Sequence, residues 1–363
     1  MGRPRTSTRE MVELVGEIAP WLAGKVGADG IVEIEDPHGP DGAGFSSETV
    51  LLDARWTSRG EPHSAAFVVR LPPPADAFPL FPRYEAERQV SAMRYVRDNS
   101  AVPVPAVPWF ETDESILDVP FYVMERVDGL VVGDVPPYVF GSWVTEASAG
   151  ERTLMRSGMV DVLVGIHGLA SGGGDLTHWE LDAPGATPLE RHVANQRAYY
   201  DWVRGDGRFP LIERTFDWLE ARWPEPEGDA VLSWGDSRLA NVLWREFRPV
   251  AVIDWEAVAV GPRELDLGWL IFHHEFFQRI AERYGHAGVP DLLARDETVA
   301  LYAERSRHEP RDLDWYLVYA ELRQALTSIR VSSRAVHFGE RDAPQDPEDL
   351  IMQRDHLEEV LDT

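Results

Sequence analysis

Between residues 230 and 270 the chain sets three polar side chains into a pattern that leaves few folds open. The stretch AVLSWGDSRLANVLWREFRPVAVIDWEAVAVGPRELDLGWL places Asp236 five positions before Asn241. Apolar runs at Val242–Trp244 and Val250–Ile253 then flank a turn over Arg245–Pro249. Two short apolar runs around turn residues read as a hairpin, and a hairpin returns Asp254 to the side of Asn241. Asp236, Asn241 and Asp254 are therefore expected to form one spatial cluster. Taken as a pair, Asp236 and Asn241 fit a plain turn equally well, since both residue types favour turns. The hairpin and Asp254 argue for the cluster.

The rest of the chain divides around Val127. Residues 9–24 carry Met11, Leu14, Val15, Ile18 and Leu22 at helical spacing. Glycine-rich punctuation follows from Pro37 to Gly44. Two strand-like runs, 48–56 and 64–71, are separated by the turn-prone stretch 58–63. Residues 72–82 read as a loop, 84–98 as a helix, and 103–111 and 120–127 as two further strands. Beyond Val127 helical patterns dominate: 151–170, 189–204, 209–223, 264–284 and 311–336. The charged C-terminus is expected to end in a surface helix. The predicted architecture is α+β, with a small β-rich N-terminal lobe over 1–127 and a larger, mostly helical C-terminal lobe over 128–363.

Composition removes several chemistries. There are no cysteines, so disulfides and thiolate sites are excluded. A net charge of −27 argues against nucleic acid as a partner and suits either a cationic ligand or plain solubility. No apolar run is long enough for a membrane helix, and the first residues lack the apolar core of a secretory signal. A cytoplasmic protein is expected. Gly2 and Thr6 match the loose N-myristoylation pattern, which is short and common.

The sequence WGDSRLANVLW…AVIDWEAVAVGPRELDLGWL resembles the aminoglycoside phosphotransferase family, a branch of the protein-kinase-like, two-lobed fold. It also looks like actinobacterial members of unsettled substrate and the kinase-like domain joined to some acyl-CoA dehydrogenases. The resemblance covers nearly the whole chain. It implies Asp236 as catalytic base, Asn241 and Asp254 as Mg²⁺ ligands, and Asp266 as a support of the catalytic loop. Trp234 departs from the family's usual His, and Gly261-Pro262 shortens its Gly-x-Pro. The implied activity is transfer of the γ-phosphate of ATP or GTP to a hydroxyl of a small molecule, with Mg²⁺ as cofactor.

The nucleotide end is sought in the N-terminal lobe. Gly42 and Gly44 would let main-chain amides approach phosphates, with Ser46 and Ser47 as added donors. A simple turn is the alternative, and no Gly-Lys-Ser/Thr follows. The resemblance favours the loop, because relatives carry a Gly-Phe-Ser stretch like Gly44-Phe45-Ser46. The only lysine, Lys25, precedes this loop and cannot be the strand lysine that grips phosphates in kinases. Arg70 on the run 67–71 is the candidate instead, since guanidinium binds phosphate bidentately; an exposed strand-end arginine is the alternative. By resemblance Glu87 is its ion-pair partner, with Glu85 as competitor. Met124, Glu125 and Val127 match the hinge strand that meets the base, although Met124 fits a core position as well.

Two features stay open. His273-His274-Glu275 fails the His-Glu-x-x-His zinc pattern and leaves either an acceptor pocket or helix surface. Tyr199, Tyr200, Asp201 and Trp202 could wall an acceptor site or simply pack a helix. The competing readings of the whole chain are a nucleotide-binding pseudokinase without turnover and, less favoured, a metal-dependent hydrolase.

Overall fold

Residues 11–40 and 46–362 are described by the computed structural model. They form two units: the described residues up to Arg97 with Val104–Asp128, and Asp98–Pro103 with the described residues from Gly129 onward.

The first unit is built on an antiparallel sheet of β1 (Glu33–His38), β2 (Glu48–Ser58), β3 (Glu61–Leu71), β4 (Trp109–Glu111) and β5 (Phe121–Glu125), in the order β1-β2-β3-β5-β4. Strands β2 and β3 pair along their whole length and turn on Arg59-Gly60 alone. Both residues have left-handed backbone, φ 53° and 79°, the geometry that matches strand twist. Their amides donate to Asp29 at 3.1 and 2.8 Å. The turn is thus shorter than the six residues 58–63 suggest. Alternate residues Val50, Leu52 and Ala54 face Phe67, Val69 and Leu71 and the helix α1 (Met11–Val26). Pro20 inside α1 costs about 3 kcal/mol. The burial of Leu14, Ile18 and Leu22, about 1.5–3 kcal/mol each, outweighs it. Helix α2 (Ala86–Asn99) buries Val90, Met93 and Val96. Only Trp109–Glu111 of the expected strand 103–111 is formed, because three prolines precede it and cannot donate to a ladder.

The second unit is mainly helical: α3 (Trp143–Glu146), α4 (Ala149–His167), α5 (Pro188–Arg204), α6 (Pro210–Ala221), α7 (Glu264–Arg283), α8 (Arg295–Ser306), α9 (Leu313–His337) and α10 (Arg354–Leu361). Helix α4 starts on a Ser148–Glu151 capping box. Every residue of α7 from Glu264 to His274 is buried, so this helix is the centre of the unit. It lies close to α9, since a Cβ on Gly268 would come 3.0 Å from that of Tyr316. Helix α8 is absent from the sequence reading; it buries only Thr298 and Tyr302 and so shows no apolar stripe. Short strands complete the unit: β6 (Leu130–Val131), β8 (Val242–Arg245) and β9 (Arg248–Val252) in one sheet, and β7 (Ala230–Ser233) with β10 (Ala259–Pro262) in another. No helix among the described residues is long and apolar enough to cross a membrane.

Candidate active site

The hairpin β8–β9 forms around the polar cluster, with its turn at Glu246 and Phe247, φ 49° and 59°. Neither is glycine or asparagine, which is why the sequence suggested a longer turn. One rung beyond the ladder, Ile253 N–H donates to the Asn241 carbonyl at 2.9 Å. Asp254 follows directly, itself left-handed at φ 59°. The expected return of Asp254 towards Asn241 is present.

Asp236 sits in the loop between β7 and β8. Its Oδ2 accepts from Asn241 Nδ2 at 2.6 Å and from Arg238 Nε at 3.0 Å; its Oδ1 accepts from Trp269 Nε1 at 2.7 Å. Asn241 Nδ2 also donates to the Asp236 carbonyl at 3.0 Å. With both amide hydrogens turned to Asp236, the amide oxygen of Asn241 is the end left to serve a cation. Burial pushes the Asp236 carboxyl up, but the Arg238 guanidinium and the Trp269 indole outweigh it and hold the group at about 2. It is therefore a carboxylate throughout the neutral range. Arg238 also pairs with Asp134.

The loop is anchored from beneath by α7. Asp266, fully buried, accepts the amides of Trp234 on Oδ2 and Gly235 on Oδ1, each at 2.8 Å. Ser237 Oγ donates to the Asp266 carbonyl at 2.7 Å. His167 Nε2 lies 3.0 Å from Asp266 Oδ2, and its Nδ1 lies 2.7 Å from the Tyr302 hydroxyl. An imidazole donating to a carboxylate through Nε2 accepts through Nδ1, so Tyr302 donates here. Burial raises the Asp266 carboxyl, yet the His167 contact and the two amides bring it below its ordinary value. From α9, Arg323 donates to the Gly235 carbonyl at 2.7 Å and lies 4.1 Å from the Trp269 ring centre.

Gly235 allows this path. Its φ is 84°, and a Cβ would fall 2.0 Å from the Ala257 carbonyl oxygen.

Other residues singled out in the sequence fall as follows. Gly42, Gly44 and Phe45 lie outside the described residues; Ser46, buried, and Ser47 lead into β2. Arg70 stands opposite Thr49 and donates to its hydroxyl at 3.0 Å. Glu87, in the first turn of α2, is exposed, as is Glu85, which lies 3.7 Å from Arg88. The buried polar residue of α2 is Gln89, whose Oε1 accepts from the Tyr122 hydroxyl at 3.1 Å. Met124 is buried opposite Val68. The amides of Glu125 and Arg126 donate to Ala106 and Ala66, and Val127 is half-buried. Lys25 pairs with Glu111 at 3.0 Å, a structural use. His273 and His274 are buried rather than on a helix surface, and line a small cleft with Asp134, Tyr138 and Arg238. Burial drives both imidazoles down, to about 3 and about 4, so both are neutral at ordinary pH. Tyr199 and Tyr200 are buried as well; Tyr200 packs against Phe209 and Phe216.

Sequence reasoning missed Arg238, Trp269, Arg323 and His167. Arg238 carried a signal, being the one basic residue inside the Asp236–Asn241 loop. The others act across distances in the chain that spacing does not report.

The sequence profile described as "Phosphotransferase enzyme family" (APH) matches residues 40–298. The chain belongs to this phosphotransferase family. Its kinase-like α+β fold is shared with solved members. A crystal structure from Ralstonia eutropha, assigned by name to the aminoglycoside phosphotransferases, is 22% identical with a TM-score of 0.67, covering 96% of each chain. Aminoglycoside phosphotransferase APH(4)-Ia, solved as a thermostable mutant with ADP and hygromycin B, is 16% identical with a TM-score of 0.55, covering 95% of this chain and 98% of that one. Among curated relatives, acyl-CoA dehydrogenase family member 11 of Rattus norvegicus is 26% identical over 263 residues, 69% of this chain and 31% of its own length. A probable acyl-CoA dehydrogenase of Arabidopsis thaliana, IBR3, is 22% identical over 81% of this chain and 36% of its own. The chain thus spans about a third of the curated relatives it matches. Within the phosphotransferase family, the donor set at Asn241 and Asp254, one amide oxygen and one carboxylate, fits a hard oxygen-seeking cation such as Mg²⁺. Among the described residues no cluster of three or more His, Asp or Glu forms a complete metal cage. Mg²⁺ commonly takes one or two protein ligands and completes its shell with water and phosphate.

Proposed function

We propose that this phosphotransferase moves the γ-phosphoryl group of ATP or GTP to a hydroxyl of a small molecule. The observation that carries the reading is the ionised Asp236, bonded to Asn241 and linked through the β8–β9 hairpin to Asp254. Asp236 orients the acceptor hydroxyl and takes its proton. A bond forms between the acceptor oxygen and the γ-phosphorus, the bond from that phosphorus to the bridging oxygen breaks, and the nucleoside diphosphate leaves with the electron pair. A carboxylate held near 2 is a weak base, so Asp236 acts mainly through position, as in other phosphoryl transfers whose transition state demands little proton abstraction. When bound, Mg²⁺ neutralises charge on the phosphates, with Asn241 and Asp254 as its protein ligands. Arg70 holds the phosphates, and Ser46, Ser47 and the strand end at Met124–Val127 serve the rest of the nucleotide; the exposed Glu87 is not paired with Arg70. Residues 1–127 are the nucleotide lobe and 128–363 the catalytic and acceptor lobe. Relatives of this fold solved with ADP and hygromycin B support both partners. The net charge of −27 makes nucleic acid an unfavourable partner, and a cytoplasmic location suits the substrates.

The test has two arms. Thermal melts with ADP and with a non-hydrolysable ATP analogue, titrated with Mg²⁺, should show stabilisation that Asp254→Ala abolishes. A panel of hydroxylated small molecules, assayed for nucleoside diphosphate release above intrinsic hydrolysis, should yield an acceptor. Nucleotide binding without turnover on any acceptor would instead support a pseudokinase.

A further inference from the structure

Trp234 is fully buried and stands in the loop that carries Asp236. Its main-chain amide is held by Asp266 at 2.8 Å. Its indole reaches the other way: Nε1–H lies 3.1 Å from the Ile253 carbonyl and 3.1 Å from the Asp254 carbonyl. One donor shared by two successive carbonyls requires both to point to the same side. In an extended strand successive residues alternate in direction, so such convergence needs a break in the strand. The left-handed φ of 59° at Asp254 is that break, a conformation that glycine adopts freely and that Asp enters more readily than most other residues. The ring also packs on Trp255, with centroids 6.0 Å apart. Trp234 thus bridges the segment bearing Asp236 and the segment bearing Asp254, anchored to Asp266 at one end and to the turned Asp254 peptide at the other.

Resting on the phosphotransferase reading above, we propose that Trp234 is a positioning residue: its indole N–H holds the Asp254 backbone in its left-handed turn and so sets where the Asp254 carboxylate stands for a metal ion. The family's usual His at this position leaves the loop's support to an imidazole; here an indole supplies a donor that cannot become an acceptor. Trp234 therefore strengthens the assignment of Asp254 rather than weakening it.

The experiment compares the wild-type chain with Trp234→Phe, Trp234→His and replacement of Trp234 by 3-benzothienylalanine. That last side chain keeps two fused rings and puts sulfur where the N–H was, so it preserves packing if Trp234→Phe fails to fold. Two quantities are read: the Mg²⁺ concentration giving half-maximal thermal stabilisation with saturating AMP-PNP, and amide hydrogen exchange across residues 250–256 without metal or nucleotide. Loss of one hydrogen bond should raise the Mg²⁺ midpoint by about three- to tenfold in the Phe and benzothienyl variants, speed exchange across that segment, and leave Trp234→His near the wild type in both. A purely structural role would lower the melting temperature without moving the Mg²⁺ midpoint. A benzothienyl variant with wild-type midpoint and wild-type exchange overturns the proposal. If the wild type shows no Mg²⁺-linked stabilisation at all, the phosphotransferase reading falls and this inference falls with it.

Discussion

Asp266 Oδ1 accepts the main-chain N–H of Gly235 at 2.8 Å, while Oδ2 of the same carboxylate accepts that of Trp234. The loop that presents Asp236 is therefore hung from a side chain 30 positions later in the chain (266 − 236 = 30). Everything the loop does depends on that side chain staying ionised and in place.

Removing the Asp266 carboxylate should be among the most damaging single changes in the molecule. Asp266→Ala leaves two buried amides and the His167 Nε2–H without their acceptor; each buried donor stranded in this way costs about 1–3 kcal/mol. Urea unfolding should show the combined drop. Asp266→Asn keeps one acceptor oxygen and should fall between. The folded Asp266 carboxyl titrates below its unfolded value, so its stabilisation is present above the unfolded value and fades as pH falls through the folded one. The gap between wild type and Asp266→Asn should accordingly close in acid.

Gly235→Ala tests the other half of the same contact. A Cβ would lie 2.0 Å from the Ala257 carbonyl oxygen, at a φ of 84°. The backbone penalty alone is about 1–3 kcal/mol, and the clash adds to it, because the obstacle is backbone and cannot rotate away. Stability and turnover should fall together, with nucleotide affinity falling less than turnover.

Asp236→Asn separates binding from chemistry. Turnover should drop by about 10²- to 10⁴-fold, because the group that orients the acceptor hydroxyl is lost together with its modest proton acceptance, with little change in nucleotide Kd. Arg238→Met should act on the same carboxylate electrostatically. Asp236 is held at about 2 against its burial, first of all by Arg238. Without that guanidinium the folded pKa rises, so the acid limb of the turnover profile should move up in pH. The stability that Asp236 contributes, full above its unfolded value and lost through about 2 in the wild type, should likewise be lost at higher pH. An unmoved acid limb in Arg238→Met would remove Arg238 from this role.

Arg70→Ala should lose most nucleotide affinity and Arg70→Lys should retain part of it, because charge survives while the bidentate geometry does not. Calorimetric titration of both variants with ADP decides this. Wild-type affinity in Arg70→Ala would assign the phosphates to another residue.

What spacing alone could specify was local. Asp236 and Asn241 stand five positions apart with four residues between them, and a short apolar hairpin carries Asp254 back to them, so their proximity follows from strand register without knowledge of the remaining fold. The same holds for the period of Leu14, Ile18 and Leu22 in α1 and for the alternation along β2 and β3. The turns were misjudged where non-glycine residues, Glu246 and Phe247, adopt left-handed backbone, since that choice is forced by pairing on either side rather than by their own preference. The support of the site was invisible for a different reason. Asp134 with Arg238, His167 with Asp266, Trp269 with Asp236 and Arg323 with Gly235 are pairs far apart in the chain. Each becomes a contact only when the packing of the helical unit brings its two segments side by side. The polar trio is thus written in local order, and the charge of Asp236 and the anchoring of its loop are properties of the packed interior.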